Sequence, residues 1–204
     1  MPFYNNIPSK SNIVISFKDN PIADFGMFAK GYHEAANQLS NAFLSKSYYG
    51  DYEGYPNVFL YRHAFELYLK HIIYWSMRLC AFNNINLASS KLVLNHKLVG
   101  LSAQVENLLL VLFDNDPDIL RIVKDVNQIA KEFYEIDQDS FSYRYPIDKK
   151  ENHSTKKHQV VNIESVHINM NKILKDLEVI SFGLDLETFQ IEKIYDLLNE
   201  YFVN

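Results

Sequence analysis

Arg62, His63, Glu66 and Lys70 stand within residues 55–70, a stretch otherwise built almost wholly of apolar and aromatic side chains. Arg62 and Glu66 are four apart, so on a helix their side chains meet on one face. Charges on so apolar a helix are costly to bury unless they are paired. The stretch therefore contributes either a polar site or a packed ion-pair network. In the first reading Arg62 binds a phosphate and Glu66 orients it or acts as a base. In the second the same pair holds the helices together. His63 lies one position round from Arg62 and points to another face, as a partly buried structural histidine or, with Lys70, as a substrate contact.

Two other places carry candidate chemistry. His96 can act as acid or base near physiological pH, or simply hydrogen-bond across the fold. Arg144 sits between Tyr143 and Tyr145. That trio offers a planar cation for phosphate and two rings for base stacking, or else an aromatic anchor for its loop. The expected catalytic set is Arg62, Glu66, His96 and Arg144, with His63, Lys70, Tyr143 and Tyr145 as substrate contacts.

The elements that must position these residues read as helices. The first covers about 22–45, with Phe25, Phe28, Tyr32, Ala35, Ala36, Leu39 and Phe43 at helical spacing. The second runs from Tyr55 to about Phe82, with Pro56 in its first turn, where a missing N–H costs nothing. The third spans about 96–113. The fourth opens on Asp116-Pro117-Asp118: Asp116 caps, Pro117 takes the first position and Asp118 suits the positive dipole end. A fifth covers about 162–181 and is closed by Gly183, and a short terminal helix begins at Asp185 or Thr188. Residues 12–17 favour an extended strand or arm. Residues 135–161 form a long connection whose polar and aromatic content marks it as functional. The predicted fold is an all-α antiparallel bundle over 22–182, flanked by an N-terminal arm (1–21) and a C-terminal helix (185–204), in one domain.

Residues 55–70 resemble the second helix of the HEPN-like family, all-helical prokaryotic toxins, ribonucleases and nucleotide-binding modules. Residues 95–101, from Asn95-His96-Lys97-Leu98, are similar to the His-x-Leu element that opens the next helix there. Residues 136–148, with Arg144-Tyr145-Pro146, are similar to the connection before the last long helices. Order and spacing of the motifs carry the resemblance, which spans roughly 25–182. It implies a homodimer with sites at the two-fold interface. It also implies a place in a toxin–antitoxin or anti-phage defence system, with RNA or a nucleotide as ligand and an antitoxin or defence-system protein as partner. One departure counts against catalysis. Ribonucleases of this family carry an Arg followed by four to six residues and a His, and none of Arg62, Arg78, Arg121 or Arg144 is so followed. The alternative is a non-catalytic module that binds a nucleotide or a protein.

Composition narrows the remaining classes. The 204 residues suffice for one substantial core, and 48% hydrophobic with 22% charged is a globular balance. A net charge of −5 opposes electrostatic coating of nucleic acid. The one basic run, Lys149, Lys150, His153, Lys156, Lys157 and His158, reads as a solvated loop or a local patch. Cys80 is the lone cysteine, which leaves no disulfide framework. His153 and His158, with only Glu151 nearby, make a poor zinc site. No Walker loop, dinucleotide fingerprint or nucleophile elbow occurs, so neither cofactor nor metal is expected. The N-terminus lacks a signal-peptide core, and no run is long enough to span a bilayer. The expectation is a soluble, cytoplasmic protein.

Overall fold

The structure, a computed structural model, describes residues 13, 24–48, 50–87, 95–137, 142–147, 151, 153–154 and 160–202, with side chains through 197. Among them are five α-helices: α1 (Phe25–Leu44), α2 (Gly54–Phe82), α3 (Leu98–Leu112), α4 (Pro117–Ile136) and α5 (Ile163–Phe202). A single turn of 3-10 helix at Asp51–Glu53 leads into α2. No strand occurs among the described residues; Ile147 and His153 form one isolated bridge. The architecture is an all-α bundle. The expected arm at 12–17 lies outside the described residues apart from Ile13, as does the basic run apart from His153.

α2 is the central helix. Tyr61, Arg62 and all residues from Ala64 to Ile73 are buried, so it is covered on every side rather than along one stripe. It packs against α1, α3 and α5; α3 pairs with α4, and α1 and α4 each touch α5. Local chemistry sets the boundaries. The Asp116 carboxylate accepts the Asp118 and Ile119 N–H groups at 2.9 and 3.1 Å, capping α4 ahead of Pro117. Asn162 receives the Ser165 N–H in the same manner at the start of α5. Beyond the ends of α2 and α3, Asn84 (φ 55°) and Asn115 (φ 59°) turn the chain in the left-handed region that Asn tolerates best after Gly.

Three expectations need correction. α5 is one helix of 40 residues, not two. Gly183 keeps a right-handed backbone and does not end it. A glycine costs a helix only about 1 kcal/mol, and Leu184 and Thr188 continue the buried stripe on its far side, which offsets that cost. α3 begins at Leu98 with Lys97 as its cap, so His96 precedes the helix. In α1 the buried face is Ala29, His33, Ala36, Ser40 and Phe43, while Phe28 and Ala35 are exposed. Small residues let α1 approach the bulky α2 closely, a choice that periodicity of large apolar residues misreads.

Gly26 shows that close approach directly. Its N–H donates to His71 Nδ1 at 3.0 Å, and a Cβ there would lie 2.9 Å from the buried imidazole. The proton of His71 then sits on Nε2, which faces Asp185 Oδ1 at 3.2 Å. Gly26→Ala is expected to destabilise the fold by about 1–3 kcal/mol through overpacking, despite alanine's better helix propensity. Urea midpoints measure it, and the penalty is expected to vanish in a His71→Ala background, where the obstructing ring is gone.

Candidate functional site

Arg62 and Glu66 are fully buried on the α2 face toward α3 and the end of α4. The guanidinium spends its fork on three elements. Nη1 donates to Glu66 Oε2 at 3.2 Å on its own helix, and Nη2 donates to the His96 carbonyl at 3.1 Å. Nε faces Asp137 Oδ2 at 3.3 Å, just past the end of α4. Lys70, one turn beyond Glu66, donates to Glu66 Oε1 at 2.7 Å. Two cations, Arg62 and Lys70, therefore meet two carboxylates, Glu66 and Asp137, out of water. Burial pushes the Glu66 carboxyl up, but Lys70 and His96 more than offset it and leave it below its ordinary value.

His96 is the exposed end of this network. Its Nδ1 lies 2.8 Å from Glu66 Oε1 while its side chain keeps 56% of its surface. A carboxylate accepts from Nδ1–H, which leaves the Nε2 lone pair of the neutral ring outward.

Asp137 ties in the long connection. Its Oδ1 accepts the Ser142 N–H at 3.0 Å. The Ser142 hydroxyl lies 3.1 Å from the Ile136 carbonyl and 2.8 Å from that of Ser154, and the Ser154 N–H donates to the Pro146 carbonyl at 3.1 Å. Residues 142–147 are thereby folded back onto the end of α4. Tyr143 is buried there, its hydroxyl pushed well up by burial and then by the Asp137 charge, with Arg62 pulling the other way. It also walls a cavity of about 260 Å³ between α4 and α5, lined by Val58, Phe133, Val166 and Met170. Arg144 stays exposed. Its guanidinium lies over the Phe59 and Tyr145 rings, 5.6 Å from each centroid. The other side of the chain of rings is His63, stacked with Phe59 at 5.5 Å and met edge-on by Tyr32 at 4.5 Å. Burial holds the His63 ring below its ordinary pKa; Glu66 opposes this, and Lys70, Arg62 and Arg144 add to it.

Arg62, Glu66, Lys70 and His96 thus form one contact network, and His63 and Arg144 flank it through Phe59. Chemistry divides them. Arg62, Glu66 and Lys70 are enclosed and mutually neutralised, whereas His96, Arg144 and the half-exposed Tyr145 face solvent. Tyr143 has no open ring for stacking. Asp137 escaped the sequence reading. An aspartate directly after the apolar end of α4 looks like an ordinary helix terminus, and only the tertiary fold, which also sets Phe133 of α4 near Phe65 of α2, brings it to Arg62. A second, half-buried network lies at α1, α2 and α5. There Tyr61 Oη is 2.9 Å from His167 Nδ1, and Asn171 joins His167 (3.1 Å) to His33 (2.7 Å). It fills polar positions between the helices.

Among the described residues no three His, Cys, Asp or Glu side chains gather as metal ligands, and no helix is long and apolar enough to cross a membrane. Comparison with protein-family models, curated proteins and solved structures finds no match for this chain.

Arg62→Ala is expected to cost about 3–5 kcal/mol, since it leaves Glu66 and Asp137 buried with less compensation. His96→Ala is expected to cost about 1 kcal/mol or less, its ring being half in water. Guanidinium denaturation of both variants checks the contrast. The depressed Glu66 pKa also fixes an acid limb. Its stabilisation is complete above the unfolded value of 4.5 and is lost as pH falls through the lower folded value. Glu66→Gln, though less stable at neutral pH, is expected to show a shallower loss over that acid range in urea titrations.

Proposed function

We propose that this protein is a HEPN-like member of a prokaryotic conflict system that acts on RNA, with His96 as the proton-transfer group and Arg144 as the phosphate contact. The observation that carries the reading is the His96–Glu66 pair: an exposed imidazole whose Nδ1 is held at 2.8 Å by a buried carboxylate. That pairing fixes ring orientation and tautomer and presents Nε2 outward, as a general base requires. In cleavage the ribose 2′-hydroxyl gives its proton to Nε2 and its oxygen bonds to phosphorus. The bond to the 5′-oxygen breaks, that oxygen takes a proton from water, and a 2′,3′-cyclic phosphate remains. Arg144 stabilises the charge gathering on the phosphate, and Tyr145 offers a ring for stacking. The buried Arg62, Glu66 and Lys70 serve as positioning residues.

A second reading is a non-catalytic module that binds a nucleotide or a protein with the same exposed residues. The missing Arg-x4–6-His spacing favours it, as does the enclosure of three of the four charges on α2.

Incubation of the purified chain with a pool of labelled RNAs, with and without a metal chelator, separates the two. The first reading expects chelator-resistant cleavage to cyclic-phosphate ends. It also expects His96→Ala to lower the rate at least about 100-fold, the usual weight of a general base, with thermal unfolding little changed. Arg144→Ala is expected to weaken RNA binding about tenfold or more, the loss of one charge-assisted contact, with unfolding likewise preserved. Binding without cleavage in the wild type selects the second reading. If Arg144→Ala unfolds the protein while activity per folded molecule stays intact, Arg144 is a structural pin.

A further inference from the structure

The two halves of α5 are held by different means. Residues 163–180 bury Ile163, Met170, Ile173, Leu174, Leu177 and Ile180. Beyond Gly183, Leu184 is the one buried apolar side chain among the described residues, with Ile191 partly buried. Leu186, Phe189, Ile194 and Leu197 are exposed, as are Val179 and Phe182 ahead of the glycine. Apolar burial is the main source of local stability, and the distal half has little of it.

The inner face of that half is polar instead. α2 and α5 run parallel here in constant register: His71 faces Asp185, Arg78 pairs with Glu192, and Phe82 stacks on Tyr195 at 5.9 Å. The same register sets Trp75 level with Thr188. Along this seam His71 Nε2 and Trp75 Nε1 on α2, and Ser181 Oγ, Asp185 Oδ1 and Thr188 Oγ1 on α5, are enclosed without a hydrogen-bond partner. His71 Nδ1 is taken by the Gly26 N–H, and Nε2 and Asp185 Oδ1, though 3.2 Å apart, are not aligned for a bond. A buried polar group left without a partner costs more than a made hydrogen bond returns. The first half shows the contrast. There Tyr61 and His33 bond His167 and Asn171 at 2.9 and 2.7 Å, and Asn171 bonds Asn37 at 3.1 Å. The far end of the seam rests on the Arg78–Glu192 pair, which is partly in water and therefore weak.

Gly183 divides the two halves. Glycine weakens a helix interior, helices bend where Gly and Ser lie close, and Ser181 is two residues away. A Cβ at 183 would meet nothing within 4 Å, so no packing pins the backbone there. We propose that residues 184–197 form a strap that parts from α2 as one unit, hinged at Gly183, while 163–180 stays packed. Opening exposes the α2 face bearing His71, Trp75 and Arg78 and returns the partnerless groups of the seam to water. The inference is independent of the RNA reading.

Native-state hydrogen exchange of the full chain, read by mass spectrometry, tests the strap. Amides of 184–197 are expected to exchange as one block, at least about 100-fold faster than those of 173–180, as a local opening below global unfolding requires. Ser181→Ala with Thr188→Val removes two partnerless hydroxyls at little change of shape. It is expected to slow exchange across 184–197 at least about fivefold and to leave 163–180 unchanged. Gly183→Ala is expected to slow the same block about fivefold, the weight of glycine's helix penalty. Gly31→Ala on α1, where a Cβ also meets nothing, is expected to leave the block unaltered. Equal protection in the two halves of α5 overturns the proposal. So does protection that falls smoothly toward the C-terminus, which is end fraying without a hinge. Faster exchange in the Ser181→Ala, Thr188→Val variant overturns it as well, since the hydroxyls would then be bonded in solution, as does an equal effect of Gly31→Ala.

Discussion

The buried guanidinium of Arg62 is the constraint on which the rest of the arrangement depends. A fixed positive charge with no exposed surface must find its compensation inside the protein. One carboxylate on the same helix satisfies only part of a five-donor fork. The remainder is met by the His96 carbonyl and by Asp137. These lie on the approach to α3 and just beyond α4, so a hydrogen bond and an ion pair hold the three helices in one register where apolar packing alone would tolerate sliding. Lys70 and Glu66 then complete a neutral cluster, and neither carboxylate is left without a cation.

What reaches the surface follows from that cluster. His96 is fixed twice, by its carbonyl on Arg62 and by its imidazole on Glu66. Its position is therefore much better determined than the exposure of its ring would suggest. The segment carrying Arg144 is held by a different handle, the Asp137–Ser142 bond, which starts from the same guanidinium. Phe59 closes the circuit by touching both His63 and Arg144. His96 and the Arg144 segment are thus held at the surface by separate attachments to one buried guanidinium.

α5 poses a different problem. Its N-terminal half meets α1, α2 and α4 through Asn171, His167 and the Asp176–Arg121 pair. Further on, the inner stripe stays buried while the outer one lies open. A long helix with two apolar faces gains stability from the fold with one and carries the other as a cost in solvent.

Sequence and tertiary structure contributed separately. Helical periodicity, Pro56, the Asp116-Pro117 start and the near absence of breakers determined an all-α chain with these helices, because those signals act within a few residues. The Arg62–Glu66 pair was legible for the same reason, four residues being one turn. The length of α5 was not: Gly183 reads locally as a stop, and its cost is overridden by the buried Leu184 and Thr188 on its far side. The role of Asp137 was invisible too, because 75 positions separate it from Arg62 and only helix packing closes that gap. Tertiary structure likewise decided which side of the chemistry faces water. Arg62, Glu66 and Lys70 read in sequence as candidate ligand contacts no different from His96 and Arg144. Three helices closing over the first group turned it into a buried support and left the second group at the surface.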